Sequence, residues 1–394
     1  MFSIIWTESS TAQMMWMRSE GQLKSYQLIG GDEFNNKKLN DSLWRNSYPW
    51  GRNLYCGKEQ QYYTDGDNIN LVDGNLILEV KKEIINAKAV GYEPDDKELI
   101  CEGRNMGKNL RTFNYSSGMI FSKQQYKYGF YEIRFRVSEG KGLWPAFWLY
   151  AGHENDEIDI FELKGEKNNM LHVDVHCPSG CKNYKTTLGL LKKNWGDYIP
   201  CSENWEDNFN VVAIEWTREY VKWYLNGQGI AYWRGTYDHP MNVIANVAIA
   251  HDDGPFSPGP DATTEFPAKF EIDYIRIWAP VDNDAQELIT DSKNLGESSF
   301  GNAIMTKKKK PEFKCKQLKT PVSYLVLSEE ASGAYELNVL GSENNMVDVI
   351  VKDSKGSVKY QKLNSADQSF NFEAQDSEHH LSIKIGEEEI TYKF

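Results

Sequence analysis

Apolar side chains alternate with polar ones along many short segments of this chain, and this period of two limits the fold more than any other feature. In the clearest run, apolar and charged residues alternate through Tyr131, Glu132, Ile133, Arg134, Phe135, Arg136 and Val137. Such alternation is expected when one face of a β-strand is buried. Between residues 30 and 279 we find no long segment with a convincing apolar stripe at the helical period. The pattern therefore predicts an all-β chain.

Two dipeptides predict tight connections between strands. Asp73-Gly74 precedes the apolar segment 76–80, and Asn226-Gly227 separates the segments 221–225 and 230–233. Asn-Gly and Asp-Gly are the strongest short hairpin signals, because both residues tolerate the positive φ that the turn requires. Hairpins join antiparallel neighbours, so two packed antiparallel sheets, a β-sandwich, are favoured over alternating strands and helices.

The length of 394 residues exceeds the roughly 100–200 residues of a typical domain. After Pro280 the composition becomes polar, and four lysines, Lys307 to Lys310, stand directly before Pro311. We interpret the lysines as part of a solvated linker in preference to a site for an acidic polymer. Short apolar segments resume near residue 321. The predicted organisation is an N-terminal extension (1–29), a large β domain (30–279), a polar and basic linker (280–320) and a small C-terminal β domain (321–394).

Composition excludes some classes of partner and favours another. A formal net charge of -13 argues against binding to nucleic acid, which requires a basic surface. The 12 tryptophans and 22 tyrosines suit a surface that stacks against the flat apolar faces of sugars. No segment has the roughly 18 apolar residues of a membrane-spanning helix. The first residues lack the basic start of an export signal, so a secreted protein would need a different start or another route.

Six cysteines are compatible with disulfides but allow fifteen pairings, among which the sequence cannot choose. Cys177 and Cys181 form a C-x3-C pair, and no second pair has the spacing of a zinc site. A short disulfide or free thiols is the preferred interpretation. A thiol redox or zinc protein built on this pair is a minor alternative.

The segment Glu157-Ile-Asp-Ile-Phe-Glu162 concentrates three acids in one predicted strand. Residues two apart share a face, so Glu157 and Asp159 point the same way. Glu162 has the opposite parity unless Ile160 or Phe161 is the extra residue of a β-bulge, which would restore the facing. The hypothesis therefore requires a bulge between Asp159 and Glu162.

Three acids on one face suit glycoside hydrolysis. Retaining glycosidases place two carboxyls about 5–5.5 Å apart, one to attack the anomeric carbon and one to protonate the leaving oxygen. Because ionising all three is costly, crowding raises at least one pKa and supplies a proton donor. An acidic solvent-exposed face or a calcium site is the alternative explanation of the same six residues.

Neighbouring residues favour the catalytic interpretation. Trp144 and Trp148 are four residues apart and so share a strand face, where indoles either bind sugars or pack in the core. Downstream, His172, Asp174 and His176 also share a face. We favour a site role for His176 more than for His172, since a histidine beside the acids could hold a carboxylate or a sugar hydroxyl.

Several further motifs occur in order along the chain. They are Gly31-Asp-Glu-Phe-Asn35, Gln60-Gln-Tyr-Tyr-Thr64, Tyr115-Ser-Ser-Gly118, Tyr128-Gly-Phe-Tyr-Glu-Ile-Arg134, Trp144-Pro-Ala-Phe-Trp148, the acidic strand and Ile272-Asp-Tyr-Ile-Arg276. With these motifs the region from Gly31 to Trp278 resembles glycoside hydrolase family 16. The six-residue acidic motif is similar to that of the laminarinase and marine-galactanase branch. The resemblance implies a jelly-roll sandwich with a concave cleft and endo cutting of a β-linked glycan.

The resemblance also implies roles for individual residues. Glu157 would be the nucleophile, Asp159 the residue that tunes charge between its neighbours, and Glu162 the acid/base. Substrate would contact a further set of residues, Trp144, Trp148, His176 and Asn246. The short connection of residues 149–156 and the insert Cys177-Pro-Ser-Gly-Cys181 depart from a usual laminarinase. Both lie beside the expected cleft, where loops set specificity.

We therefore expect a secreted or cell-surface, retaining endo-hydrolase of a β-1,3-glucan, acting as a monomer. An endo-hydrolase of β-galactans such as agar, porphyran or mucin-type glycans is the nearest alternative, and a catalytically inactive lectin is another. Two-carboxylate hydrolysis needs no cofactor and no catalytic metal. A structural Ca²⁺ is compatible with a sandwich, but no motif locates it.

Overall fold

The computed structural model describes most of the chain up to residue 281 and a set of strands beyond residue 323. The described residues are 14–19, 22–54, 58–88, 100–101, 104–105, 110–152, 156–167, 169–177, 194–201, 203–281, and the strand residues within 324–393. They contain 27 strands and no α-helix. No described segment therefore has the length and apolarity of a helix that crosses a bilayer.

The strands up to residue 281 form most of two large sheets. In chain order they are β1 (Met14–Ser19), β2 (Gln22–Asp32), β3 (Trp44–Arg45), β4 (Gln61–Tyr63), β5 (Ile69–Val72), β6 (Asn75–Ala87), β7 (Ile100–Cys101), β8 (Arg104–Asn105), β9 (Arg111–Ser117), β10 (Met119–Tyr126), β11 (Gly129–Val137), β12 (Leu143–Tyr150), β13 (Glu157–Glu162), β14 (Met170–His176), β15 (Asn194–Pro200), β16 (Asn210–Trp216), β17 (Val221–Leu225), β18 (Gln228–Trp233), β19 (Met241–Ile249) and β20 (Ala268–Pro280).

Seven strands follow residue 323 among those described. They are β21 (Tyr324–Ala331), β22 (Ala334–Leu340), β23 (Met346–Lys352), β24 (Val358–Asn364), β25 (Gln368–Glu373), β26 (His380–Ile385) and β27 (Glu388–Lys393). β21 pairs with β1, so β21, β22 and β25 continue the first large sheet, while β24, β23, β26 and β27 form a sheet of their own. The C-terminal strands agree with the predicted β-rich character of this region. The linker, including Lys307 to Lys310, lies outside the described residues, and the domain boundaries stay predictions.

The fold is the predicted antiparallel sandwich. One sheet runs in the order β18-β17-β16-β11-β20-β2-β1 and also takes in β4, β5, β6 and β9, and the other runs β15-β14-β13-β12-β19-β10-β3. Pairing is antiparallel except between β4 and β9. The inner faces meet in a core in which Phe135 of the first sheet stacks on Phe161 of the second, with ring centroids 4.3 Å apart. Burial of these large side chains provides most of the stabilisation that holds the sheets together.

Both predicted hairpins form. Asp73 and Gly74 have φ values of 51° and 79°, and Asn226 and Gly227 have 47° and 78°. Two successive residues with positive φ are characteristic of a type I′ turn, whose twist matches that of the flanking strands. The dipeptides thus fix the pairings of β5 with β6 and of β17 with β18.

The outer face of the first sheet is more buried than the alternating pattern indicates. Glu132, on the polar side of β11, has no exposed surface and accepts a hydrogen bond from the indole of Trp278 at 2.9 Å. A second apolar cluster lies on this face and contains Met15, Tyr26, Phe130, Ala213, Tyr224 and Trp278. Burial raises the pKa of Glu132 to about 7. A polar residue in an alternating strand therefore does not guarantee contact with solvent.

Gly31 provides a test of how closely β2 and β20 pack. It has a φ of 108°, and a Cβ atom at this position would collide with the backbone carbonyl of Ile275. Gly152 has a φ of 73° but no atom near the position of its missing Cβ. We predict that Gly152→Ala lowers the free energy of unfolding by about 1 kcal/mol, the cost of positive φ alone. Gly31→Ala should cost at least about 2 kcal/mol more, because the backbone must also move. Urea unfolding of both variants measures this difference, and equal losses would contradict the close packing.

Candidate active site

The acidic strand contains the predicted bulge. On β12, Trp148 pairs with Asp159 and Phe147 with Phe161, so Ile160 is the extra residue. On the other side, β14 has one residue between Asp174 and His172, the partners of Asp159 and Glu162, where β13 has two. Ile160 and Phe161 both point into the core. As a result the three carboxyls share one face of the sheet.

This face forms the floor of an open cavity of about 610 Å³. Its lining combines carboxyls, two histidines and aromatic rings. It includes Tyr48, Trp50, Asn53, Leu54, Glu59, Trp144, Ala146, Trp148, Glu157, Asp159, Glu162, His172, Asp174, His176, Asn194, Tyr198, Asn246, Ala248, Pro255 and Phe256. This one cavity is lined by all seven residues that we predicted for the site from the sequence. An apolar cleft with convergent polar groups is the usual form of a small-ligand site.

Glu162 is held at both carboxyl oxygens. The indole N–H of Trp144 donates to Oε1 at 2.9 Å, and Nδ1 of His172 lies 2.9 Å from Oε2. Burial lowers the pKa of His172, but the hydrogen bond and negative charge of Glu162 outweigh it and raise this pKa overall. The two neighbours fix the orientation of the Glu162 carboxyl towards the cavity.

Glu157 and Asp159 lie next to the imidazole of His176. Nε2 of His176 is 3.8 Å from Glu157 Oε1 and 3.3 Å from Asp159 Oδ2. The side chain of His176 is 44% exposed, whereas that of Asp159 is 3% exposed. The exposed fraction of the Glu157 side chain lies between these two values. Its carboxyl is therefore accessible from the cavity but partly desolvated.

Burial and crowding raise the pKa values of the carboxyls. Burial raises the pKa of Glu157 well above its usual value, and repulsion by Asp159 adds to this effect. Burial likewise raises the pKa of Asp159, reinforced by the charges of Glu162 and Asp174. Burial also raises the pKa of Asp174, to about 6. The floor thus keeps protons at a pH where isolated carboxyls would have lost them.

Trp148 and Asn246 form part of a buried hydrogen-bond chain at the edge of the cavity. The indole N–H of Trp148 donates to Asn246 Oδ1 at 2.7 Å, and the Asn246 amide donates to the hydroxyl of Tyr63 at 2.8 Å. Trp148 and Asn246 are 6% and 4% exposed. Their contacts support the floor, and direct contact with substrate stays a prediction for both.

Several aromatic residues of the cavity wall were not predicted from the sequence. Phe256 stacks on Trp144 with ring centroids 4.2 Å apart and nearly parallel planes, and Trp50 stacks on Tyr48 at 5.0 Å. Trp50 and Phe256 lie outside the strands, so strand parity gives no signal for them. Glu59, also missed, is a further buried acid in the cavity lining, and burial raises its pKa to about 7.

Cys177 follows the site histidine directly and is disulfide-bonded. The side chain of its partner is not among those that the structure describes, and Cys181 lies outside the described residues. The Sγ atom of Cys177 is 3.1 Å from the hydroxyl of Tyr237, which also donates to the backbone carbonyl of His176. The hydroxyl of Tyr237 therefore anchors the end of β14 beside the cavity.

Comparison with known proteins identifies the family. A sequence model of glycosyl hydrolases family 16 matches residues 58–276, more than half of the chain. The chain belongs to glycosyl hydrolases family 16. It is accordingly a glycosidase, an enzyme that hydrolyses O-glycosyl bonds, and the sandwich is the jelly roll that the motifs implied.

Individual relatives of this family 16 enzyme have low sequence identity to it, but the similarity extends over about two thirds of the chain. A beta-glucanase of Rhodothermus marinus is 28% identical over 279 residues, which are 64% of this chain and 85% of the relative. The endo-beta-1,3-glucanase structure from Pyrococcus furiosus has a TM-score of 0.53 at 27% identity and covers 68% of this chain and 99% of its own. The catalytic domain of a Thermotoga petrophila laminarinase has a TM-score of 0.52 at 26% identity, covering 66% of this chain and 100% of its own.

The bulge in this family 16 enzyme leads to a prediction about two deletions. Deleting Ile160 would leave the three acids at alternate positions of a regular strand, so all would still face the cavity. Deleting Ile158 would make Glu157 and Asp159 neighbours with opposite facing. Both residues are fully buried, so both deletions cost about 2–5 kcal/mol of core packing. Reducing-sugar release should stay measurable in the first variant and vanish in the second. Equal activity of two equally folded variants would contradict the parity argument.

Proposed function

We propose that this enzyme cleaves internal bonds of a neutral β-1,3-glucan with retention of configuration. The observation that carries the proposal is the arrangement of β13, which presents three carboxyls on the floor of an open, aromatic-walled cavity. An endo-acting enzyme needs a cleft that admits a polymer along its length, and the similarity to endo-beta-1,3-glucanases favours such a cleft here. No cofactor is required, since two carboxyls supply both the nucleophile and the acid.

Glu162 is proposed to be the acid/base. In the first step its proton passes to the glycosidic oxygen as the bond breaks, and in the second step it accepts a proton from the attacking water. The contacts of its two oxygens with Trp144 and His172 stabilise the carboxylate that remains after the proton has been given up. The two contacts also hold the Glu162 carboxyl in one orientation. His172 thereby lies next to the carboxyl proton that is transferred.

Glu157 is proposed to be the nucleophile and Asp159 its charge-tuning neighbour. Glu157 must be ionised to attack the anomeric carbon, yet burial and the charge of Asp159 raise its pKa. If Asp159 keeps a proton while Glu157 attacks, the repulsion disappears during the first step. Burial favours the neutral form of both carboxyls, and the hydrogen bond between them lets one proton pass from Glu157 to Asp159 as this division requires.

The electrostatics of the cavity support a neutral substrate. Among the described residues that line it there are five acids, Glu59, Glu157, Asp159, Glu162 and Asp174, and no lysine or arginine. A sulfated or uronic sugar at the cleavage point would meet like charges with no described lysine or arginine to pair with. β-1,3-Glucan is neutral, and the similarity to the Pyrococcus endo-beta-1,3-glucanase and the Rhodothermus beta-glucanase favours it over a galactan.

Secretion is proposed as well. The disulfide of Cys177 supports an oxidising compartment, where such bonds persist. A polymeric substrate too large to enter a cell gives the same expectation. Action as a monomer is part of the proposal, because the cavity is built from one chain.

The substrate proposal is tested on a panel of polymers that includes one matched pair, laminarin and chemically sulfated laminarin. Laminarin, lichenan, agarose, porphyran and mucin glycans are incubated with the enzyme, and products are separated by size. We expect oligosaccharides from laminarin and much slower or no release from chemically sulfated laminarin of the same chain length. Release from agarose or mucin glycans alone would favour the galactanase alternative. Glycan binding without any product would favour the lectin alternative.

The roles of the two outer carboxyls are tested by amide substitutions. Glu157→Gln removes the nucleophile and should abolish turnover while glycan binding persists. Glu162→Gln removes the acid and should lower kcat by about 10²-fold to 10⁴-fold, and less for substrates with good leaving groups. Glu271→Gln is a matched control, because this acid lies on β20 and pairs with Arg136 away from the cavity. Product configuration is followed by NMR of the anomeric protons. Inversion in the wild-type enzyme, or full activity of Glu157→Gln, would refute the mechanism.

A further inference from the structure

Glu157, Asp159 and His176 form a cluster whose donor atoms are nearly in position to share one ion. Each residue contributes one possible ligand atom, and the three atoms lie within 4.8 Å of one another. Two of the separations, from His176 Nε2, are 3.3 Å and 3.8 Å. Ligands at about 2.0–2.2 Å from a tetrahedral Zn²⁺ lie about 3.3–3.6 Å apart. Side-chain adjustments of about 1 Å would therefore complete the geometry.

A second observation at the same place points to a missing ligand. Asp159 is 2% exposed, and its Oδ2 atom makes no hydrogen bond. His176 Nε2 lies 3.3 Å from this oxygen without the alignment of a hydrogen bond. A buried carboxyl oxygen without a partner is costly, and coordination of a cation, with loss of the carboxyl proton, offsets this cost. This orphaned oxygen faces the other two members of the cluster.

The chemistry of the donors selects the class of ion. One imidazole and two carboxylates form a mixed nitrogen and oxygen set that suits zinc and its neighbours among the first-row metals. Calcium and magnesium prefer oxygen ligands only and more of them. The wider surroundings, Glu162 and Asp174, add negative charge, and no lysine or arginine lines the described part of the cavity. Access is open, because the His176 side chain is 44% exposed.

We propose that Glu157, Asp159 and His176 form an inhibitory site for a zinc-like divalent transition metal ion. The binding rests on the geometry of the three residues, whereas its effect on hydrolysis rests on the function proposed above. A bound ion occupies the Glu157 oxygen that would attack the anomeric carbon, and it fixes Asp159 in the ionised state. Metal and glycan therefore exclude each other, and the fourth coordination position faces the cavity, where water can complete it.

Zinc binding is measured directly on the whole chain. The enzyme is treated with a chelator, dialysed and titrated with ZnCl₂ in a calorimeter, with circular dichroism as a check of folding. We expect one binding event of one-to-one stoichiometry. His176→Gln and Asp159→Asn should each weaken it at least about tenfold, since even second-layer changes at metal sites reach that size. His172→Gln is the matched control on the same strand and should retain wild-type affinity, because His172 contacts Glu162 and not the cluster.

The consequence for activity is measured separately. Zn²⁺ should raise KM for laminarin without changing kcat, and excess chelator should restore the original rate. Absence of a zinc-binding event in the wild-type chain would overturn the inference, as would wild-type affinity in both His176→Gln and Asp159→Asn. Calorimetry does not depend on turnover. An enzyme that binds zinc as described but cuts no laminarin would refute the proposed function and leave the metal site standing.

Discussion

The alternation of side chains along a β-strand is the constraint on which the rest of this structure depends. A single strand must place Ile158, Ile160 and Phe161 in the core and three carboxyls in the cavity. A regular strand cannot do both with the spacing of this sequence, because Glu162 is an odd number of residues from Asp159. The extra residue at Ile160 solves the conflict by turning two successive side chains to the core. The stacking of Phe161 on Phe135 then holds the bulge against the opposite sheet.

Those features that local rules govern could be predicted from the sequence. Period-two alternation and the two hairpin dipeptides gave the sheet class, and parity alone located the bulge to within two residues. The cavity wall could not be found in this way. Trp50 and Phe256 lie outside the strands, and they reach the site only because loops from different parts of the chain meet there. The burial of Glu132 was missed for a similar reason, since the cluster that covers it joins distant strands such as β1 and β20.

The first sheet does more than complete the core. The indole of Trp223, on β17, donates a hydrogen bond of 3.0 Å to the backbone carbonyl of Asp159. This carbonyl belongs to the residue just before the bulge, where the regular ladder with β14 is interrupted. A buried carbonyl without a strand partner would be costly, so a donor from the opposite sheet stabilises the irregular backbone. Core packing and the arrangement of the three carboxyls are thereby joined through one residue.

The floor and the wall of the cavity differ in how much change each can accept. Floor residues come from paired strands of one sheet, and their carboxyls are constrained by neighbours on both sides, as Glu162 is by Trp144 and His172. A shift of a floor residue disturbs the core beneath it. Wall residues such as Trp50 and Phe256 rest on other aromatic rings and lie on loops, where substitutions and insertions disturb little of the ladder. The proposed chemistry of this enzyme thus depends on its sheet, whereas we expect the choice of glycan to depend on loop segments that can vary independently.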